Sequence, residues 1–231
     1  MVMVLVAISK TISLLIEEFF MKKTTITLVI IALLTSIPMF GATSKVSVGG
    51  FYTSETIDSI SAGGTVLTTD AKGNSLGAYV KGTSFFSPSS PIGVTYMARF
   101  GKLTSLKVSG TSMDVSDEPI GWDVSLGVAF QQPINMDAFF EGAIGVMIAN
   151  DSETDDSTSP STSVTTSLYS FTLLAELNYA LNQTTFLNVG IQAILPLSGT
   201  MKASIGGFSA SQDYSVDGFT LSPYVGVSMA F

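Results

Sequence analysis

The 231-residue chain has no cysteine and no histidine. The first absence excludes a disulfide framework and any thiolate metal site, while leaving export to an oxidising compartment open. The second removes the commonest general base, the commonest transition-metal ligand and every Ser-His, Cys-His or Asp-His pairing. Charge is scarce as well: 12% of residues are charged against 46% hydrophobic, which excludes a disordered chain and leaves length for one sizeable domain. Long apolar runs are missing too. Beyond residue 40 nothing approaches the roughly 18 consecutive apolar residues that a membrane-spanning helix needs, so the apolar content is distributed in short pieces.

What is present begins with an export signal. Met21-Lys22-Lys23, the uncharged run from Thr24 to Met39 and the small-residue end Gly41-Ala42 form the three regions of a secretory signal peptide. Residues 21–42 are therefore expected to be removed, with cleavage after Ala42 or after Ser44. Residues 1–20 precede a complete signal and read as an upstream extension from a mis-assigned start, a genuine amphipathic leader being the other reading. The mature domain is expected over 43–231.

From Lys45 onward, segments of apolar/polar period two alternate with Gly/Ser/Thr/Asp-rich breaks, which is the strand pattern. Eight such segments fall near 45–53, 75–86, 92–103, 120–131, 137–149, 167–181, 185–197 and 217–231. Each is at least about as long as the 9 to 11 residues of a tilted membrane strand. The breaks alternate between short ones (87–91, 132–136, 182–184) and long ones (54–74, 104–119, 150–166, 198–216). Short periplasmic turns and long external loops are the asymmetry of outer-membrane barrels. The two faces of each segment also differ. In the third, Ile92, Val94, Tyr96, Ala98 and Phe100 oppose Gly93, Thr95, Met97, Arg99 and Gly101. An apolar exterior with a small-residue interior suits lipid outside and a narrow lumen inside. Aromatics gather at segment ends, with Phe85, Phe86, Phe130, Tyr179 and Phe231 towards one rim and Phe51, Tyr52, Trp122, Tyr169 and Phe219 towards the other. The expected fold is all-β, a closed antiparallel up-and-down transmembrane β-barrel of about eight strands in the cell outer membrane.

The final run Tyr224-Val225-Gly226-Val227-Ser228-Met229-Ala230-Phe231 resembles the C-terminal signal of outer-membrane proteins, a terminal phenylalanine preceded by hydrophobic residues at alternate positions. Together with Val46-Ser47-Val48-Gly49-Gly50-Phe51-Tyr52 near the mature start, it makes the chain similar to the small outer-membrane barrels of the OmpX and OmpA-transmembrane type. The resemblance implies that Val225, Val227, Met229 and Phe231 present the assembly signal to the barrel-assembly machinery. The chain departs from that pattern where Pro223 replaces the usual tyrosine, with Tyr224 one place off. A barrel, not an activity, is what the family implies.

Few charges lie within the strand segments. Lys81, Arg99, Asp123, Glu141 and Glu176 fall on the small-residue face by parity, on five consecutive segments. A lysine or arginine facing lipid near the midplane costs roughly 2 to 4 kcal/mol, so a lumenal charge network is expected. The long loops are acidic, which argues against nucleic acid as a partner. Their densest piece carries Asp151, Glu153 and Asp155 at alternate positions, a weak cation candidate without the glycine and final glutamate of an EF-hand loop. No cofactor and no catalytic residues are expected, because the barrel enzymes of this family rely on histidine. The expected role is structural or adhesin-like, through the acidic loops. Outer-membrane lipid, lipopolysaccharide and host surface molecules are the expected partners. A narrow passive pore and an OmpW-like path for hydrophobic compounds stay open as alternatives.

Overall fold

The computed structural model describes residues 43–87, 89–116, 120–155, 162–205 and 208–231. The expected extension at 1–20 and signal peptide at 21–42 lie outside the described residues. Strands are β1 (Thr43–Ala62), β2 (Thr65–Phe85), β3 (Ile92–Val108), β4 (Thr111–Met113), β5 (Ile120–Pro133), β6 (Ala138–Asp155), β7 (Thr162–Ala180), β8 (Thr185–Ile205) and β9 (Phe208–Ala230). Eight of them pair antiparallel with their neighbours in the ring β1-β2-β3-β5-β6-β7-β8-β9, and β9 returns to β1 to close it. β4 pairs only with the end of β3, across a Ser109-Gly110 turn whose two residues have φ of 49° and 81°. The seam is finished by the chain end itself: the Phe231 amide donates to the Ser44 carbonyl at 2.8 Å.

The eight spanning segments stand where the period-two pattern places them, but the strands run on. At one end the β1–β2 ladder continues to Ala62↔Thr65, closed by Gly63-Gly64 at φ 56° and 81°, a turn only glycine enters without strain. The β6–β7 ladder reaches Asp155↔Thr162, and β8–β9 reaches Ile205↔Phe208. Most of 54–74 and 198–216, and much of 104–119 and 150–166, is therefore hairpin rather than loop. Above a bilayer both faces of a hairpin meet water, so no apolar alternation is needed. Threonine and serine, which read as loop composition, pair well in such ribbons.

The opposite end carries short turns. Asn182 Oδ1 accepts the amides of Thr184 and Thr185, both at 2.9 Å, which is turn chemistry at a sequence that also matches a glycosylation sequon.

Between the ends, Val48, Leu76, Ile92, Leu126, Val146, Leu173, Val189 and Val225, one from each ring strand, all point outward and are exposed. An apolar surface around the whole circumference would aggregate in water. A closed barrel, with no unpaired strand edge, is what a bilayer accepts. Val225, Val227, Met229 and Phe231 belong to this outward surface at the closing seam. The missing amide of Pro223 falls where the β9–β1 ladder is interrupted, between Tyr224↔Phe51 and Leu221↔Ser54. Tyr52, Trp122, Tyr169 and Phe219 are exposed at one rim and Phe86, Phe130 and Tyr179 at the other. Phe51 and Phe85, expected in these girdles, are instead buried, since parity turns both into the lumen.

Candidate functional site in the barrel lumen

Strand parity sends Glu141 of β6 and Glu176 of β7 inward as direct cross-strand partners. Two carboxylates so placed repel each other, and two lysines from the opposite wall resolve the conflict. Lys81 of β2 donates to Glu141 Oε1 at 2.9 Å and to Glu176 Oε2 at 2.5 Å. Lys45 of β1 lies 2.6 Å from Glu141 Oε2 and donates to Glu176 Oε1 at 2.9 Å and Asn178 Oδ1 at 2.7 Å. Two positive and two negative groups thus form a neutral square spanning the lumen, and none of their side chains is more than 4% exposed.

Neutral groups complete the layer. Thr83 Oγ1 donates to Glu141 Oε1 at 2.8 Å, and the Tyr224 hydroxyl donates to Glu176 Oε2 at 2.9 Å. Asn188 Nδ2 donates to the Tyr79 hydroxyl at 2.8 Å, while Tyr79 and Tyr224 meet edge to face with centroids 5.1 Å apart. Both tyrosines lie over inward glycines. A Cβ at Gly49 would meet the β9 backbone at Val225 and Gly226 first and the Tyr79 ring at 2.8 Å, and one at Gly190 would run into the ring of Tyr224. The small-residue face is thus a seat for large side chains rather than open space. Met97 of β3, the cross-strand partner of Lys81, and Gln192 of β8, the partner of Ser222, are buried in the lumen as well.

Towards the long hairpins lies a second layer. Arg99 of β3 and Asp123 of β5 are cross-strand partners. Arg99 Nε donates to Asp123 Oδ1 at 2.8 Å, and Nη2 donates to Oδ2 at 2.9 Å, a two-pronged pair. Nη1 reaches the far wall and donates to Ser222 Oγ at 2.8 Å, and the guanidinium sits 5.0 Å from the centroid of the Phe51 ring. Above this layer is a cavity of about 310 Å³, lined by Phe51, Glu55, Asp123, Met147, Leu168, Ile194 and Tyr214 among others.

The five charged residues singled out by parity therefore all face the lumen, but they divide: Lys81, Glu141 and Glu176 in one layer, Arg99 and Asp123 in the other. Lys45 is missing from that set. It obeys the same parity, yet it is the third residue after a cut at Ala42 and the first after a cut at Ser44, where the strand pattern has barely begun. Tyr79, Tyr224, Asn178 and Asn188 are missing as well, being uncharged; the alternation of tyrosine with glycine at inward positions is the signal that could have found them. The backbone of Asp151, Glu153 and Asp155 is strand β6 rather than a cation-binding loop, and their side chains lie outside the described residues.

No family model and no curated protein matches the chain. Among solved structures, it is similar to the outer membrane protein OprG from Pseudomonas aeruginosa at 13% identity, covering 82% of this chain and 96% of that one with a TM-score of 0.49. A major outer membrane protein from Thermus thermophilus matches at 12% identity, 83% and 100% coverage and a TM-score of 0.48. The attachment invasion locus protein Ail of Yersinia pestis matches at 13% identity, 82% and 99% coverage and a TM-score of 0.41.

Proposed function

We propose that this outer-membrane barrel is a sealed, non-enzymatic scaffold that displays extended β-hairpins for contact with molecules outside the cell. One observation carries the reading: all eight ring strands contribute an inward side chain that is at least nine-tenths buried, among them Ser47, Tyr79, Met97, Ser125, Glu141, Glu176, Gln192 and Tyr224. Eight strands enclose a lumen just wide enough for side chains to fill, and here they fill it. A permanent aqueous pore has no room through that stretch of the lumen. What the chain offers the exterior is then its hairpins, with Asp58, Asp70, Asp213 and Asp217 on their ribbons and tips. The outward run Val225, Val227, Met229 and Phe231 serves as the signal read by the barrel-assembly machinery.

Trimming the β1–β2 hairpin to a tight turn near Ser54–Asn74, and β8–β9 likewise, tests this. Trimmed barrels that still migrate faster unboiled than boiled, but whose cells lose attachment to host-cell monolayers, support the reading. Undiminished attachment contradicts it.

A second reading is favoured by a different feature. The β8–β9 ladder is broken between Ile194↔Thr220 and Ser198↔Ser215, at the level of the cavity, where Leu168, Ile194 and Pro196 give a partly polar and charged wall an apolar side. That break suits entry of a hydrophobic compound from above and its exit sideways into lipid. Uptake of a fluorescent alkyl probe by cells carrying Ile194→Trp, compared with the unaltered chain, decides it: a filled cavity abolishes uptake under this second reading and leaves it unchanged under the first.

A further inference from the structure

The cations of the barrel are sorted by face. Besides Lys10, Lys22 and Lys23 there are seven. Lys45, Lys81 and Arg99 are buried in the lumen, and three of the other four, Lys72, Lys102 and Lys107, share the outward face of the β2–β3 ribbon. Lys72 and Lys107 are direct cross-strand partners, an arrangement of like charges that is unfavourable unless an anion joins them. The protein supplies little to relieve it. Asp70 lies 3.6 Å from Lys72 with both side chains more than 60% exposed, a loose contact of small worth, and no carboxylate pairs with Lys102 or Lys107 among the described residues.

Height on the barrel identifies what meets this strip. Lys102 follows the outward pair Phe100↔Trp122 by one step of the ladder, just past the aromatic rim. Lys107 is five residues further along, a rise of roughly 12 Å for a strand tilted about 40°. Between them the same outward face carries Asn74 and Ser105, joined by a 2.8 Å hydrogen bond. The strip therefore begins where acyl chains end and climbs through the headgroup zone. The Lys102 ammonium donates to the Ser116 carbonyl at 2.8 Å, which holds it at the rim with further donors left for an anion, and Lys72 and Lys107 stand exposed above it. In a chain of net charge −8 it is a concentrated patch of the opposite sign.

We infer that Lys72, Lys102 and Lys107 form a docking strip for a phosphorylated glycolipid of the outer leaflet, Lys102 meeting the phosphate nearest the acyl chains and the Lys72–Lys107 pair clasping one higher up. This rests on the membrane-barrel reading, which sets the height of the strip, but not on the function of the hairpins. Each lysine near an anionic lipid surface strengthens binding about fivefold, so loss of all three weakens it by roughly a hundredfold, and added salt erodes the difference.

The test reconstitutes the full chain, its K72Q/K102Q/K107Q variant and a K202Q control into phosphatidylcholine vesicles with and without a bis-phosphorylated glucosamine lipid. The temperature at which the fast-migrating unboiled band disappears is the readout. The phosphorylated lipid is expected to raise that temperature for the unaltered chain and K202Q but not for the triple variant, with all three equal in phosphatidylcholine alone. An equal rise for the triple variant overturns the docking strip. So does a triple variant that loses binding to soluble heparin while keeping the lipid-dependent rise, which would make the strip a polysaccharide site. Absence of any heat-dependent migration in all three proteins overturns the barrel itself, and the strip with it.

Discussion

The two charged layers of the lumen use the same residue types in different surroundings. The square of Lys45, Lys81, Glu141 and Glu176 is closed to water on every side, whereas Arg99 is bonded to Asp123, whose side chain is 16% exposed beneath the cavity. Deep in the barrel an ion loses its hydration and must be compensated by its partners, so the square stands or falls together. Beside the cavity water can replace a lost partner. The lower layer is consequently a lock and the upper one an adjustable floor.

That difference is broken most severely by Lys81→Ala, which leaves two facing carboxylates with one lysine between them. A loss of about 3 to 5 kcal/mol is expected in urea unfolding of the detergent-solubilised barrel. Replacing all four members by apolar residues of similar volume should restore much of it, because no unpaired ion remains. Gly190→Ala comes next. The added methyl displaces Tyr224, and with it the hydroxyl on Glu176, at a cost of about 1 to 3 kcal/mol in the same measurement. Arg99→Ala is expected to cost less than Lys81→Ala, about 1 to 3 kcal/mol. Arg99→Ala and Glu141→Ala should add within about 0.5 kcal/mol when combined, since the layers share no hydrogen bond; a larger coupling would make them one network. Asn182→Ala, at a turn in water, should cost no more than about 1 kcal/mol and leave the heat-dependent migration intact.

The eight crossings were legible because lipid imposes a strict rule: outward apolar, inward not, at period two. Lys81, Arg99, Asp123, Glu141 and Glu176 could be assigned to the lumen from that rule alone. Which charge meets which could not, because partners such as Lys81 and Glu176 come from opposite walls, and their approach depends on the strand tilt and stagger that close the barrel. The hairpins were illegible for the complementary reason. Above the membrane no face of β1 or β8 must be apolar, so Ser59, Ser61, Thr200 and Ser204 carry no alternation to read. Tyr79 and Tyr224 were hidden by the opposite bias, since an inward row of glycine and serine reads as emptiness until a neighbouring strand is seen to lay its ring across it.

The claim that the lumen is sealed meets its most direct test in single-channel conductance across a planar bilayer. The unaltered barrel is predicted to give no resolvable channel steps, and a variant carrying Tyr79→Ala and Tyr224→Ala, with the charged square kept, to open small ones. Steady ohmic conductance from the unaltered barrel would contradict the sealed lumen and make the protein a pore.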